Sequence, residues 1–285
     1  MFDSKVLPIL CYGAEIWGTK IWSDIEIVHS QFCKYVLGLG PRSVNVAALA
    51  ECGRRPLYIH YITRCIKYWL KLTSMEIDRY PKACYNMLLN LDNSGRVTWI
   101  SDIKYILYSY GFGDVWLNQG AGNPELFISL FKQRIYDNAT QHLHSDINHM
   151  SKLSTYSQFK LSLESEIYLD VILWQRHAKA LARFRCSNHR LGIEYQRGQV
   201  ERNSRFCKFC LNLNHRKIED EYHFMLVCPL YQHLRNYYTI FTDIDVNFYT
   251  FLNIMNTKNP EYLRQLGSYV YRAMQVHREF TVLNP

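Results

Sequence analysis

The chain has 285 residues, 48% hydrophobic and 20% charged, so it can bury a sizeable core and is not a disordered tail. Lys and Arg outnumber Asp and Glu by 33 to 25, a net charge of +8 that suits an acidic partner, and 13 Gly with 8 Pro exclude a collagen-like chain and argue against a turn-rich sandwich. No apolar run reaches the roughly 18–20 residues of a membrane span, and the nine cysteines, odd in number and scattered through helical patterns, fit a reducing compartment with one metal cluster rather than a disulfide framework.

Residues 6–14 are apolar but interrupted by Pro8 and closed by Glu15. They lack the basic start and small-residue cleavage site of a signal peptide, and residues 6–17 read as non-helical. From residue 21 the period is helical. Ile21, Ile25, Val28, Phe32, Tyr35, Val36 and Leu39 share a face, and Gly38, Gly40 and Pro41 end it. A short helix over 44–50 meets a turn at Cys52-Gly53-Arg54-Arg55-Pro56, and a long apolar helix covers 57–75. Pro81 suits the first turn of the next helix, through Leu91. Ser101 can cap a helix to about Tyr110, closed by Gly111. Asn123-Pro124 opens another, with Leu126, Phe127, Leu130, Phe131 and Ile135; His142, His144 and His149 read as surface residues of its polar end. Residues 151–157 are polar and read as a linker. A helix is expected over 168–186 and a last one over 260–280, and residues 205–227 favour short strands around a turn.

The strongest chemical signal is Cys207-x2-Cys210-x12-His223-x4-Cys228. Two thiolates on a tight turn and a His and Cys five apart can close one tetrahedron, and mixed thiolate and imidazole donors suit Zn²⁺. Four protein ligands leave no open position, so the expected zinc is structural. Glu219, Asp220 and Glu221 are placed to support the ligands or cap the following turn. Cys186 with His189 repeats the x2 spacing and could form a second half-site or replace an assigned ligand, a buried thiol and an exposed His being the plainer reading, and His215 rivals His223 as third ligand but sits in what reads as a solvated turn.

Between residues 176 and 217 eleven Lys/Arg face only two acids, Glu194 and Glu201, so the charge is a local patch. Arg176, Lys179 and Arg183 recur at helical spacing, and Arg185, Arg190, Arg205 and Lys208 continue toward the cysteines, with Phe209 among the interleaved aromatics. Cations beside aromatics suit a sugar-phosphate backbone with stacked bases. A solvated helix face is the plainer reading. No phosphate-binding GxxxxGK[ST] loop, GxGxxG turn or GxSxG elbow is present, and no carboxylate set forms a polymerase or nuclease centre.

Several segments in order resemble one family. Residues 7–18 (LPILCYGAEIWG) resemble the strand and turn that end the reverse transcriptase domain of jockey-like non-LTR retrotransposons. Residues 28–39 (VHSQFCKYVLGL), 49–57 (LAECGRRPL) and Tyr68-Trp69 resemble the thumb that follows, and residues 184–190 (FRCSNHR) and 207–231 resemble the zinc-binding C-terminal region. The family's catalytic palm with its paired aspartates has no counterpart in this sequence, so polymerase activity does not carry over. The resemblance implies a mainly α protein: a helical thumb-like bundle, a helical linker and a small zinc-bound ββα-like element. Its expected segments are 1–78 (end of palm and thumb), 79–167 (linker), 168–237 (basic helix and zinc element) and 238–285 (C-terminal helices). The implied role is binding of element RNA or target DNA in an intracellular ribonucleoprotein, nuclear or cytoplasmic, with a palm on another chain as a further partner and no membrane. A host protein-interaction scaffold with a structural zinc is the alternative; a metal-dependent nuclease is a third reading.

Overall fold

The computed structural model describes residues 1–283, and they are mainly helical, as the periodicity predicts. In chain order the helices are α1 (Leu7–Leu10), α2 (Ala14–Trp17), α3 (Ser23–Leu37), α4 (Asn45–Glu51), α5 (Tyr58–Thr73), α6 (Tyr80–Asn93), α7 (Trp99–Ser109), α8 (Gly113–Leu117) and α9 (Pro124–His149). Then come α10 (Tyr156–Phe159), α11 (Tyr168–Val171), α12 (Gln175–Arg185), α13 (Gly192–Tyr195), α14 (Lys208–Asn212), α15 (Gln232–Arg235), α16 (Phe248–Met255) and α17 (Pro260–Leu283).

Four local expectations change. Residues 6–17 are not a strand and turn: they form α1 and α2 around a tight turn, with Cys11 N–H donating to Leu7 O at 2.9 Å and Gly13 at φ +63°. The strands expected over 205–227 reduce to one antiparallel bridge, Phe206 with Ile218, because α14 and a π-turn at His223–Val227 take up the rest. Residues 151–157 are not an open linker, since Leu153 and Tyr156 are fully buried. The helix expected over 168–186 breaks at residues 172–174, where Ile172 and Trp174 are extended. Ile172 turns inward against Gly267, where a Cβ would come within 2.8 Å of its Cδ1, while Leu173 and Trp174 stay exposed.

The chain divides into two compact units, Met1–His29 with Arg55–His142, and Ser30–Arg54 with the chain from Leu143 onward. The first packs α2 on α5. Trp17 and Tyr61 are in ring contact at 5.4 Å, and Cys65 Sγ donates to Ala14 O at 3.0 Å. Glu26 caps α5 from a distance, accepting the N–H groups of Leu57 and Tyr58 at 2.9 and 2.8 Å. Those donors would otherwise be orphans of a helix start. Thr98 opens α7 through a capping box in which Ser101 is the third residue, not the cap itself. Trp69 stacks on Trp116, and Phe112, Phe127 and Phe131 form an aromatic cluster.

The second unit is built on α12 against α17. Its core joins Cys33, Leu37 and Ala47 to Leu181, Phe184, Phe224, Tyr231, Tyr269 and Val270. A buried charged knot lies inside it. Arg185 Nε donates to Glu51 Oε2 at 3.0 Å, its Nη2 pairs with Glu166 at 2.9 Å, and its Nη1 donates to Met255 O at 2.6 Å. Tyr168 Oη donates to the same Glu51 oxygen at 2.6 Å. No described helix is long and apolar enough to cross a membrane.

Candidate metal centre and the basic groove beside it

Cys207 is the residue before α14 and Cys210 lies within it, so one helical turn brings both thiols to the same side. The chain then turns back: Cys210 O accepts the N–H groups of Leu213 at 3.1 Å and His215 at 2.8 Å, and Asn214 takes a left-handed conformation at φ +61°. Cys207 N–H donates to Lys217 O at 2.8 Å, and Glu219 N–H to Arg205 O at 2.9 Å. This brings residues 217–219 alongside 205–207. Asp220 Oδ1 accepts His223 N–H at 2.8 Å and starts the π-turn that ends at Cys228. Arg235 fixes that end by donating to Cys228 O at 2.7 Å.

The result is a buried cluster of three cysteines and one histidine: Cys207, Cys210, His223 and Cys228, with ligand atoms all within 4.8 Å of one another. Cys210 Sγ is 3.3 Å from His223 Nε2 and 4.0 Å from Cys228 Sγ, which is 3.9 Å from Cys207 Sγ. A tetrahedron with metal–sulfur bonds of about 2.3 Å and metal–nitrogen bonds of about 2.0 Å has edges of roughly 3.5–3.8 Å. The cluster can therefore bind a metal ion with little rearrangement. The Cys207 thiol is drawn down to about 4, first by its hydrogen bond with Cys228 and then, against burial, by His223. Cys228 is pushed up by that same bond and by burial.

The alternatives for the ligand set resolve against themselves. His215 is exposed and outside the cluster. His189 Nε2 donates to Glu221 Oε1 at 3.0 Å, and Cys186 is buried outside the four-ligand set. The three acids before His223 each hold a different element. Glu219 binds His277, Asp220 caps the π-turn, and Glu221 takes His189 and the Thr155 hydroxyl. Burial alone would raise the Glu221 carboxyl. The hydrogen bonds from His189, its own backbone N–H and Thr155 outweigh burial and hold it below the usual value.

Beside the cluster lies an open groove of about 1140 Å³. Arg176, Lys179 and Arg183 of α12, Arg190 beyond it, Lys208 of α14 and Arg278 of α17 line it, and Glu219 is the only acid among the described lining residues. Five of the seven cations singled out in the sequence thus meet at one surface. Arg185 and Arg205 do not. Arg185 is the centre of the buried knot, and Arg205 points inward, donating to Val200 O and Ile193 O at 2.9 and 2.7 Å. Phe209 is half-buried, edge-on to Phe280 at 5.5 Å, rather than displayed for stacking.

Several groove cations are held in place. The Arg176 guanidinium sits between Trp174 and Tyr271, 5.3 Å from each ring centre. Lys179 Nζ lies 5.9 Å from the Tyr35 ring. Gly38 is in the left-handed region at φ +65°, and a Cβ there would come within 2.7 Å of the Lys179 stem. Glycine thus lets the loop lie against α12, where Arg183 Nε donates to Gly38 O at 2.6 Å. The sequence reading missed the contribution of α17. Tyr271, Gln275 and Arg278 all line the groove, and their spacing of four and three is the signal that would have found it. No protein-family model, curated protein or solved structure gives a significant match to the chain.

Proposed function

We propose that this protein binds nucleic acid through the groove of its second unit, and that the three cysteines and one histidine beside it hold a structural zinc. The observation that carries the reading is the convergence of six cations from three helices and the loop after α12 on one groove. Its only described acid, Glu219, is already engaged by His277 and the Gly192 N–H. Such a surface suits a phosphate backbone, whose repeated charges favour several cations at once. Zinc is the metal that best fits three sulfurs and one imidazole at near-tetrahedral spacing, and four protein donors give it a folding role rather than a catalytic one.

The ordered resemblance to the thumb and zinc-binding region of jockey-like non-LTR retrotransposons supports the same role. On that reading the protein is a retroelement-derived component of an intracellular nucleoprotein, acting on element RNA or target DNA without a catalytic centre in this sequence.

The deciding experiment is the salt dependence of oligonucleotide binding. If Arg176, Lys179, Arg183, Arg190 and Lys208 each meet a phosphate, log affinity falls against log salt with a slope of roughly −3.5 to −4.5. Replacing Arg176, Lys179 and Arg183 together with Ala should flatten that slope by about two to three units. It should also weaken all sequences alike, because phosphate contacts carry no base information. Binding that is flat in salt, or unchanged in the triple variant, would instead favour the protein-interaction scaffold.

A further inference from the structure

The carboxylate of Glu219 joins the metal loop to two other segments that line the groove. Its Oε1 accepts from His277 Nε2 at 3.1 Å, and its Oε2 accepts the Gly192 N–H at 2.6 Å. Its backbone is fixed as well: the N–H donates to Arg205 O at 2.9 Å, and the C=O accepts from Ile193 N–H at 3.0 Å. Gly192 leaves no space for a side chain there, since a Cβ would lie 2.9 Å from the Glu219 oxygen. His277 belongs to the same stretch of α17 that brings Tyr271, Gln275 and Arg278 to the groove.

We propose that metal occupancy sets the shape of the groove, with Glu219 as the positioning residue that transmits it. Glu219 lies between the second and third metal ligands, Cys210 and His223. A bound ion ties both ends of that segment; between them it is held by the Phe206–Ile218 bridge and its neighbouring backbone bonds, by the Glu219 contacts above, and by Glu221 on His189 and Thr155. With the ion gone the ends are released, Glu219 leaves its register, and α17 loses the anchor at His277. The wall carrying Tyr271 and Arg278 then loosens. The metal thereby controls affinity for a phosphate polymer without touching it. This inference rests on the groove being the nucleic-acid site.

Charge and positioning predict opposite signs here. Glu219 is an acid in a basic groove, so on charge alone Glu219→Ala would tighten binding of an anion. As a strut its loss should weaken binding by about tenfold, within the range usual for coupling between sites. Glu219→Gln removes the charge and keeps the shape: its oxygen can accept the Gly192 N–H, and its NH2 can donate to His277 Nε2 once that imidazole carries its proton on Nδ1, so it should bind at least as well as the native protein.

The test compares zinc-loaded protein, the same protein after chelation, and the variants Glu219→Ala, Glu219→Gln and His277→Ala. Zinc content is checked in each. Two quantities are read: hydrogen exchange over residues 271–281 without any nucleic acid, and affinity for a short fluorescent oligothymidylate. Exchange over 271–281 should speed up on chelation, and also in Glu219→Ala and His277→Ala with zinc retained, while Glu219→Gln stays slow. Affinity should fall in the same three samples. The proposal is overturned if chelation leaves exchange over 271–281 unchanged, or if zinc-loaded His277→Ala and Glu219→Ala bind as well as or better than the native protein. If Glu219→Ala loses zinc, His277→Ala decides between the two signs, because its substitution lies on α17 outside the metal loop. If no zinc-loaded sample binds the oligonucleotide, the groove reading fails, and the exchange data alone decide whether metal and α17 are coupled.

Discussion

Arg185 shows how far one residue's role depends on where its helix turns. It lies on the same helix as Arg176, Lys179 and Arg183, yet it is fully committed to Glu51, Glu166 and the Met255 carbonyl. Removing one member of a buried, hydrogen-bonded ion pair typically costs about 3–5 kcal/mol, because the partner charge is left stranded. Arg185→Ala should therefore lower unfolding stability by about that amount in a urea titration. On folded protein it should leave the salt slope of binding untouched, whereas Arg183→Ala should do the reverse. Glu26 offers a second test. Burial raises its carboxyl above the usual range, although the N–H groups of Leu57 and Tyr58 pull it down. Between the unfolded value near 4.3 and the raised folded value, the native protein keeps a proton that the unfolded chain has lost. The stability from this group is therefore full below that window and declines as pH rises through it. Stability curves from pH 4 to 7 should show that decline, and Glu26→Gln should remove it. Glu26→Ala, by leaving two helix-start donors without their acceptor, should cost roughly 2–4 kcal/mol near pH 4 and less as pH rises through that window.

At the scale of elements, the metal loop makes the strongest demand. Structural zinc contributes folding free energy directly, so the purified protein should carry about one zinc per chain. Cys210→Ser should lose it and raise hydrogen exchange across residues 205–231; full zinc in that variant would show that the cluster is not the site. The cluster was legible because its ligands follow a short, near-local spacing that constrains geometry whatever surrounds it. The long helices were legible for a similar reason: α5 and α17 carry an apolar face over many turns. What periodicity does not encode is where a short apolar segment finds its neighbours. Residues 7–17 have a strand's composition, but they settle as two helical turns packed through Ala14 and Trp17 on α5. The extended break at Ile172 is likewise decided by Gly267, almost a hundred residues away. The inward turn of Arg185 and Arg205 was hidden for the same reason, because their acceptors lie on remote segments or on carbonyls that carry no side-chain signal.

For the whole molecule, the two units give separate reporters. Trp17, Trp22, Trp69, Trp99 and Trp116 belong to the first unit and Trp174 alone to the second, whereas the metal cluster is wholly in the second. Removing zinc should lower the urea midpoint followed by helical circular dichroism while leaving the main tryptophan-fluorescence transition nearly in place. Parallel shifts of both would mean the units unfold as one. The units are also interleaved along the chain, since the second is built from Ser30–Arg54 and from residues beyond Leu143. On a ribosome adding about 5–20 residues per second, the earlier piece waits roughly 5–18 s while the intervening 90 or so residues are made. Through that interval Cys33, Leu37 and the apolar run of α4 are in the open with no core to enter. Nascent chains stalled after α4 has emerged from the ribosome but before α12 and α17 have should therefore be the ones held by chaperones, and they should be released once those two helices emerge.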